Sequence, residues 1–108
     1  MDRLKEVPFA ITICDREGKI LEMNDRSKET FAKYGDLIGH SLFDCHHGAS
    51  EEKLRGLLEN HNVNAYTISK NGQRKLIYQT PWYENGQFGG YVELSLVLPD
   101  EMPHYIRS

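Results

Sequence analysis

Two turn signals in the second half of the chain constrain its fold more than any other feature. Asn71-Gly72 is a dipeptide that favours a type I′ β-turn, and residues 84–86, Glu-Asn-Gly, form a second turn signal. Segments of strand-like composition flank these turns at residues 63–70, 73–83 and 87–98. The pattern predicts three consecutive antiparallel strands joined by tight hairpins.

The last of these three segments has the pattern of a central strand. One of its faces carries an unbroken apolar row, formed by Val92, Leu94, Leu96 and Leu98. An edge strand is not expected to expose such a row, because it would invite pairing with other chains. We therefore predict that residues 87–98 lie in the middle of the sheet, beside residues 9–14.

The first half of the chain predicts one further hairpin and a short helix. Residues 9–23 show strand-like alternation on both sides of a turn at Gly18, where glycine allows a positive φ angle. Asn24 then offers an N-cap oxygen, and Gly35 suits the position just after a helix. A short helix is therefore expected between Asn24 and Gly35.

A second, longer helix is expected after an irregular connection. Ser50 is its predicted N-cap, and the acidic residues that follow suit the positive end of a helix dipole. Its apolar stripe is formed by Leu54, Leu57 and Leu58. We expect this helix to end near residues 60–62.

Length and charge argue against several classes of protein. The chain has 108 residues, with 13 Lys and Arg against 16 Asp and Glu. The basic residues are scattered, which predicts no direct nucleic-acid partner. The apolar run at residues 7–14 is broken by Pro8 and followed by charged residues, so it predicts a strand and no membrane span. We expect one domain at residues 7–98, with a flank at 1–6 and a tail at 99–108.

Cysteine usage favours a reducing compartment. Cys14 and Cys45 are far apart in the sequence and have no CxxC spacing, so neither a zinc site nor a disulfide framework is indicated. We therefore expect a cytoplasmic location. A single bridge between Cys14 and Cys45 stays open at this point, because it depends on the distance between them in the fold.

The chain resembles the PAS domain family. Residues 11–24 are similar to the PAS opening, in which an apolar strand leads into an acidic-glycine turn and an asparagine closes the second strand. Further similarities lie at Phe31, Asp36-Leu37-Ile38-Gly39, Ser41-Leu42-Phe43, Asn71-Gly72 and Gly86. Together they cover about residues 7–98. The resemblance implies an α+β fold, a five-stranded antiparallel sheet with short helices packed on one face, curled around a small cavity.

In the PAS family the cavity holds haem, flavin, a metabolite or nothing, so the fold does not settle the function. Flavin-binding, light-sensing members place a reactive cysteine in an Asn-Cys-Arg-Phe-Leu-Gln run after the glycine that follows the first helices. Here residues 41–44 are Ser-Leu-Phe-Asp, and Cys45 comes about three residues too late. Flavin is therefore not the expected cofactor.

Four residues are candidates for binding a cofactor: Cys45, His46, His47 and His61. The first three adjoin Asp44, and carboxylate, thiol and imidazole are groups that ligate iron, zinc or copper. Side chains of adjacent residues rarely converge on one ion. The competing interpretation is that Asp44 or His46 bonds the loop backbone, while Cys45 packs as a small apolar residue.

His61 is a candidate through the family resemblance. Haem-binding PAS relatives often supply an axial histidine from the second helix, on the side that faces the cavity. His61 lies seven positions after Leu54 and so continues the apolar stripe if that helix reaches so far. The competing interpretation is that a histidine at a helix end is favoured by the dipole and by the terminal carbonyl groups. If haem or a metal binds, we expect the ligand to be His61, His46 or His47, and not His40 or His104. The chain has no CxxCH motif, so a c-type haem is excluded.

The sequence predicts a sensory or signalling module that is not an enzyme. The only nucleophile with a neighbouring base is Cys45, and adjacency in sequence gives poor geometry for such a pair. We expect a small ligand in the cavity, a contact with a signalling partner protein, or both. The alternatives are a ligand-free homodimerisation domain and, less favoured, a haem- or metal-binding redox or gas sensor. A homodimer is expected because an open sheet face would leave Trp82, Tyr83 and Tyr91 uncovered.

Overall fold

The computed structural model describes residues 1–44 and 48–108. In these residues the strands are β1 (Ala10–Asp15), β2 (Ile20–Met23), β3 (Asn64–Lys70), β4 (Gln73–Glu84) and β5 (Gln87–Val97). The α-helices are α1 (Asp25–Thr30) and α2 (Ala49–Asn60), and short 3-10 turns lie at Asp2–Leu4, Ala32–Tyr34 and Leu42–Asp44. The predicted α+β fold, a five-stranded antiparallel sheet with short helices on one face, is confirmed.

The strands are arranged in the order β2-β1-β5-β4-β3, and every neighbouring pair is antiparallel. β5 lies in the middle, bonded to β1 on one side and to β4 on the other, so the prediction of a central last strand is confirmed. Within this register Glu93 of β5 is paired with Thr12 of β1 and with Gln79 of β4. Three polar side chains are thus aligned across the middle of the sheet.

Both late hairpins follow from their turn residues. Asn71 and Gly72 have φ angles of 52° and 76°, and Asn85 and Gly86 have φ angles of 52° and 77°. A type I′ turn needs a positive φ at both central positions, which asparagine and glycine tolerate best. These two turns fold the second half of the chain into a meander.

The apolar row of β5 lies on the face of the sheet opposite the helices, and not in the core between the sheet and the helices. We call the face that packs against the helices the inner face, and the opposite one the outer face. On β5, Tyr91 and Glu93 face inward and line a cavity. Because side chains alternate along a strand, Val92, Leu94 and Leu96 lie on the outer face, where they are half-buried. The row that identified β5 as central therefore does not form the core.

The aromatic residues expected to lack cover are mostly covered. Tyr91 lies on the inner face with only 6% of its surface exposed. Trp82 is half-buried, donates its indole N–H to the carbonyl oxygen of Cys14 at 2.9 Å, and has its ring against Gly89. Only Tyr83, 55% exposed, matches the expectation. Of the three named aromatic residues, Tyr83 alone supports the argument from an uncovered face, and the homodimer stays a prediction.

Asn24 connects four parts of the chain. Its side chain is 1% exposed, and its Oδ1 accepts hydrogen bonds from the backbone N–H groups of Ile11 at 2.9 Å and Ser27 at 3.1 Å. Its Nδ2 donates to the carbonyl oxygens of Phe9 at 2.8 Å and Leu4 at 3.2 Å. We call this arrangement the Asn24 junction. It fixes the N-terminal flank, β1 and the start of α1 against the end of β2, and it confirms Asn24 as the N-cap.

The two helices are shorter or shifted relative to the predictions. α1 stops at Thr30, and the chain continues to Gly35 through a 3-10 turn rather than a continuous helix. Gly48, with a φ of 62°, is the N-cap of α2. The prediction of Ser50 as the N-cap was therefore wrong, because the glycine turns the chain into the helix before Ser50 is reached.

Candidate functional site

A cavity of about 420 Å³ lies between the inner face of the sheet and the helical segments. Most of its described lining is apolar or aromatic, contributed by Cys14, Ile20, Met23, Phe31, Tyr34, Leu37, Leu42, Leu54, Leu57 and Tyr91. The remaining lining residues are Thr12, Asp44, Gln79 and Glu93. An apolar cavity with a few placed polar groups is the usual form of a small-molecule site.

Polar side chains of the sheet form a row across neighbouring strands, and three of them, Thr12, Gln79 and Glu93, line the cavity. Asn64 on β3 donates from Nδ2 to Gln79 Oε1 at 2.8 Å, and Gln79 donates from Nε2 to Glu93 Oε2 at 2.7 Å. Thr12 is the cross-strand neighbour of Glu93 on the other side. We call Asn64, Gln79, Glu93 and Thr12 the polar strip. Its hydrogen bonds fix the orientation of the Gln79 amide and hold the Glu93 carboxylate at the middle of the sheet.

The polar strip is connected to the Asn24 junction. Thr12 Oγ1 and Ser27 Oγ are 2.6 Å apart and share a hydrogen bond. Ser27 is completely buried, and its backbone N–H is one of the donors to Asn24. Two hydrogen bonds therefore connect Thr12, on the cavity wall, to Asn24, which in turn contacts the start of α1 and the N-terminal flank.

Tyr91 fastens the central strand to the end of α2. Its hydroxyl lies 2.7 Å from the carbonyl oxygen of Leu57 and 2.8 Å from that of Asn62. Burial is the main cause that raises the pKa of Tyr91. The phenol consequently stays protonated and can donate to one of the two carbonyls. The Leu57 carbonyl also accepts the backbone N–H of His61 at 2.9 Å, and Asn62 lies just beyond the end of α2.

The cavity has a negative electrostatic character. Glu93 and Asp44 carry carboxylates, and no Lys, Arg or His is among the described lining residues. Burial, followed by the charge of Glu93, raises the pKa of Tyr66, which lies on the inner face of β3. Burial likewise raises the pKa of the Cys14 thiol. Both groups therefore stay neutral beside the carboxylate.

The structure places His61 at the end of α2 rather than in the cavity. The residue has a left-handed conformation, with a φ of 57°, and its ring stacks on Phe88 with centroids 3.6 Å apart. It is not among the residues that line the cavity. The described part of the cavity therefore offers no histidine ligand for haem. The other candidate ligands, Cys45, His46 and His47, lie outside the described residues, so their role stays a prediction.

Sequence reasoning missed the residues that give the cavity its chemistry: Thr12, Gln79, Glu93 and Tyr91. A signal for them was present, because a glutamate lies among the apolar residues of the central strand and a glutamine occurs on its neighbour. Assigning them to the cavity required the register of β1, β4 and β5, which single-strand alternation does not determine.

Two other kinds of feature, a metal cluster and a membrane-spanning helix, are absent from the described ranges. No group of three or more His, Cys, Asp or Glu side chains in residues 1–44 and 48–108 is placed to hold a metal ion. In the same part of the chain, no helix has the length and apolar character needed to cross a membrane.

Comparisons with known proteins identify the fold. No protein-family model matches the sequence, and no curated protein matches it. A C-terminal domain from Streptococcus mutans is similar in structure, with a TM-score of 0.73 and 16% identity over 88% of this chain and 79% of that one. The PAS domain of histidine kinase ThkA has a TM-score of 0.64 and 21% identity, covering 82% of this chain and 97% of that domain.

A third similar structure is that of the Aer2 receptor from Vibrio cholerae, described as a dual PAS-heme oxygen sensor. Its TM-score is 0.59 and its identity 12%, over 84% of this chain and 95% of that one. Further PAS domains and sensor regions of histidine kinases also match. The chain therefore has the PAS fold, as the sequence resemblance implied.

Proposed function

We propose that this chain is a sensory module of a signalling protein and that its cavity binds a small molecule. The observation that carries the proposal is the 420 Å³ cavity, which lies within the range of about 300–1,000 Å³ that is typical of ligand pockets. Three residues of the polar strip, Thr12, Gln79 and Glu93, line walls that are otherwise mostly apolar. The fold shared with the PAS domain of a histidine kinase supports a role in signalling.

The hydrogen bonds suggest how binding would be transmitted. A ligand in the cavity contacts Thr12 or Glu93, and Thr12 is bonded to Ser27. Ser27 and the N-terminal flank meet at the Asn24 junction. In this proposal the flank changes its position when the cavity fills, and a partner protein detects that change. The module itself is not an enzyme, and cysteine usage favours the cytoplasm as its location.

The proposal is tested by mass spectrometry under non-denaturing conditions on the purified full chain. We expect a co-purified small molecule in the wild type and a loss of it in Leu54→Trp, which fills the cavity from α2. The matched control is Glu59→Trp, which adds the same side chain to an exposed position on the same helix. If neither protein carries a ligand, both are screened for a rise in thermal stability with a metabolite library. The proposal fails if the wild type and Leu54→Trp then respond equally to every compound.

A second candidate function is homodimerisation without a ligand. Val92, Leu94 and Leu96 form an apolar row on the outer face, and Tyr78 beside it is 37% exposed. Such a face is suited to pairing with a second copy of the chain. We expect light scattering to give a dimer mass for the wild type and a monomer mass for Leu94→Glu. The control Thr67→Glu adds the same charge on edge strand β3.

Haem remains a less favoured alternative. The described cavity residues do not fit it, since they include no imidazole and no cation to pair with the propionates. His46 and His47 follow closely on the cavity residue Asp44 in the sequence. If the ligand is haem, one of these two histidines is therefore expected to bind its iron. A Soret band that disappears in His46→Ala or His47→Ala would support that form, and His61→Ala is expected to leave any such band intact.

A further inference from the structure

We infer that the cavity selects small organic cations with an apolar body, such as primary aryl-alkyl amines, and discriminates against anions. This inference rests on the proposed ligand-binding function and names the chemical class of ligand. It follows from the charge of the lining, the fixed position of Glu93 and the composition of the walls.

The charge of the lining is one-sided. Glu93 lies on the central strand and lines the cavity, and it forms no ion pair with any described residue. Lys70 and Lys75 line a separate, smaller cavity of about 190 Å³ that Glu93 also borders, but neither lines the larger one. A cation that enters the larger cavity gains a charge-assisted hydrogen bond to the half-buried Glu93 carboxylate, whereas an anion is repelled by it.

The Glu93 carboxylate is held in place before any ligand arrives. Its Oε2 accepts the Gln79 amide N–H at 2.7 Å, and the Gln79 amide is itself fixed by Asn64. The side chain therefore loses little conformational freedom when a ligand binds, and affinity benefits from such preorganisation. Neutral donors from Gln79 satisfy part of the carboxylate without cancelling its charge.

The walls suit an apolar cation rather than a hydrated metal ion. The aromatic residues Phe31 and Tyr91 line the same cavity as Glu93, and aromatic rings attract organic cations. Leu54 and Leu57 provide aliphatic surface for the body of the ligand. An oxygen-rich shell of the kind that calcium or magnesium requires is absent from the described lining.

The inference is tested with three probes that share one skeleton: 2-phenylethylamine, 2-phenylethanol and phenylacetate. Titration calorimetry on the full chain is expected to give the order amine, alcohol, acid, with the amine at least about tenfold tighter than the alcohol, equivalent to about 1.4 kcal/mol. In Glu93→Gln, which keeps an acceptor for Gln79, the amine should bind no more tightly than the alcohol. The control Glu84→Gln removes a carboxylate from an exposed position on β4 and should leave the order unchanged.

The outcomes separate this inference from the function on which it rests. If phenylacetate binds as tightly as the amine, or if Glu93→Gln keeps the preference for the amine, the inference is overturned while ligand binding in the cavity stands. If none of the three probes binds, the inference is also overturned. In that case the proposed function is tested independently by comparing the co-purified ligand of the wild type with that of Leu54→Trp.

Discussion

The Asn24 junction and the polar strip show two different uses of buried polar side chains in one small domain. At the junction all four hydrogen-bonding positions of the Asn24 amide are occupied by backbone groups, and the side chain is 1% exposed. In the strip, Gln79 and Glu93 are only half-buried and border open space in the cavity. Polar groups that bond only to backbone stabilise the fold, whereas those that border a cavity are placed to meet a ligand.

The largest expected effect follows from removing the Asn24 side chain. Asn24→Ala leaves the buried N–H groups of Ile11 and Ser27 without their acceptor and removes the cap of α1. Unsatisfied buried groups and a lost cap together should cost about 3 kcal/mol or more in the free energy of unfolding. Urea denaturation measures the loss. The control Thr30→Ala removes an exposed hydrogen bond from the Thr30 hydroxyl to the Arg26 carbonyl in the same helix and should cost less than about 1 kcal/mol. Equal losses in the two variants would contradict this assignment.

A smaller effect is expected at the contact between the central strand and α2. Tyr91→Phe removes the hydroxyl that bonds the carbonyl oxygens of Leu57 and Asn62. Loss of one buried hydrogen bond should lower the free energy of unfolding by about 1–2 kcal/mol. Tyr83→Phe, at an exposed position, should change it by less than about 0.5 kcal/mol. Equal free energies of unfolding in urea for Tyr91→Phe and Tyr83→Phe would show that the contact between Tyr91 and the end of α2 does not stabilise the fold.

The same residue gives the fold a dependence on alkaline pH. The pKa values of Tyr91 and Cys14 are raised in the folded state, mainly by burial. Their contribution to stability is therefore complete below the pKa values of the unfolded chain, about 8.5 for the thiol and 10 for the phenol, and is lost as the pH rises further. The free energy of unfolding should decline above about pH 9 and decline less steeply in Tyr91→Phe. An equally steep decline of the free energy of unfolding with pH in the wild type and in Tyr91→Phe would contradict this prediction.

The smallest effect on stability is expected in the polar strip. Gln79→Met keeps the length of the side chain and removes both of its hydrogen bonds. Because Gln79 and Glu93 are half-buried and border the cavity, we expect a change of only about 0.5–1 kcal/mol in the free energy of unfolding. A loss as large as that of Asn24→Ala would show that the strip is structural, and the contrast between the two regions would fail.

The junction was easier to predict from sequence than the strip, for a physical reason. Asn24 acts through backbone groups that are mostly near it in the chain, and N-cap preference is a local property. The Asn-Gly turns and the central position of β5 are likewise set by local conformational preference and by alternation. These features were predicted correctly.

The strip depends on contacts between distant strands. Gln79 and Glu93 are neighbours only because β4 and β5 have a particular register, and Thr12 reaches them from the start of the chain. The alternation on β5 showed two faces but not which one is covered, and the outer face proved to carry the apolar row. His61 was considered as a possible cavity residue, but its left-handed conformation ends α2 and turns its ring onto Phe88.

The most direct measurement of the central claim is a map of amide chemical-shift changes when the full chain is titrated with 2-phenylethylamine. The largest changes should occur at the strip residues Thr12, Gln79 and Glu93, and smaller ones at Ser27 and Asn24, to which Thr12 is linked. The changes at all five residues should vanish in Leu54→Trp. Changes confined to the outer face or to the exposed hairpin ends, or changes that persist when the cavity is filled, would show that the cavity is not the binding site.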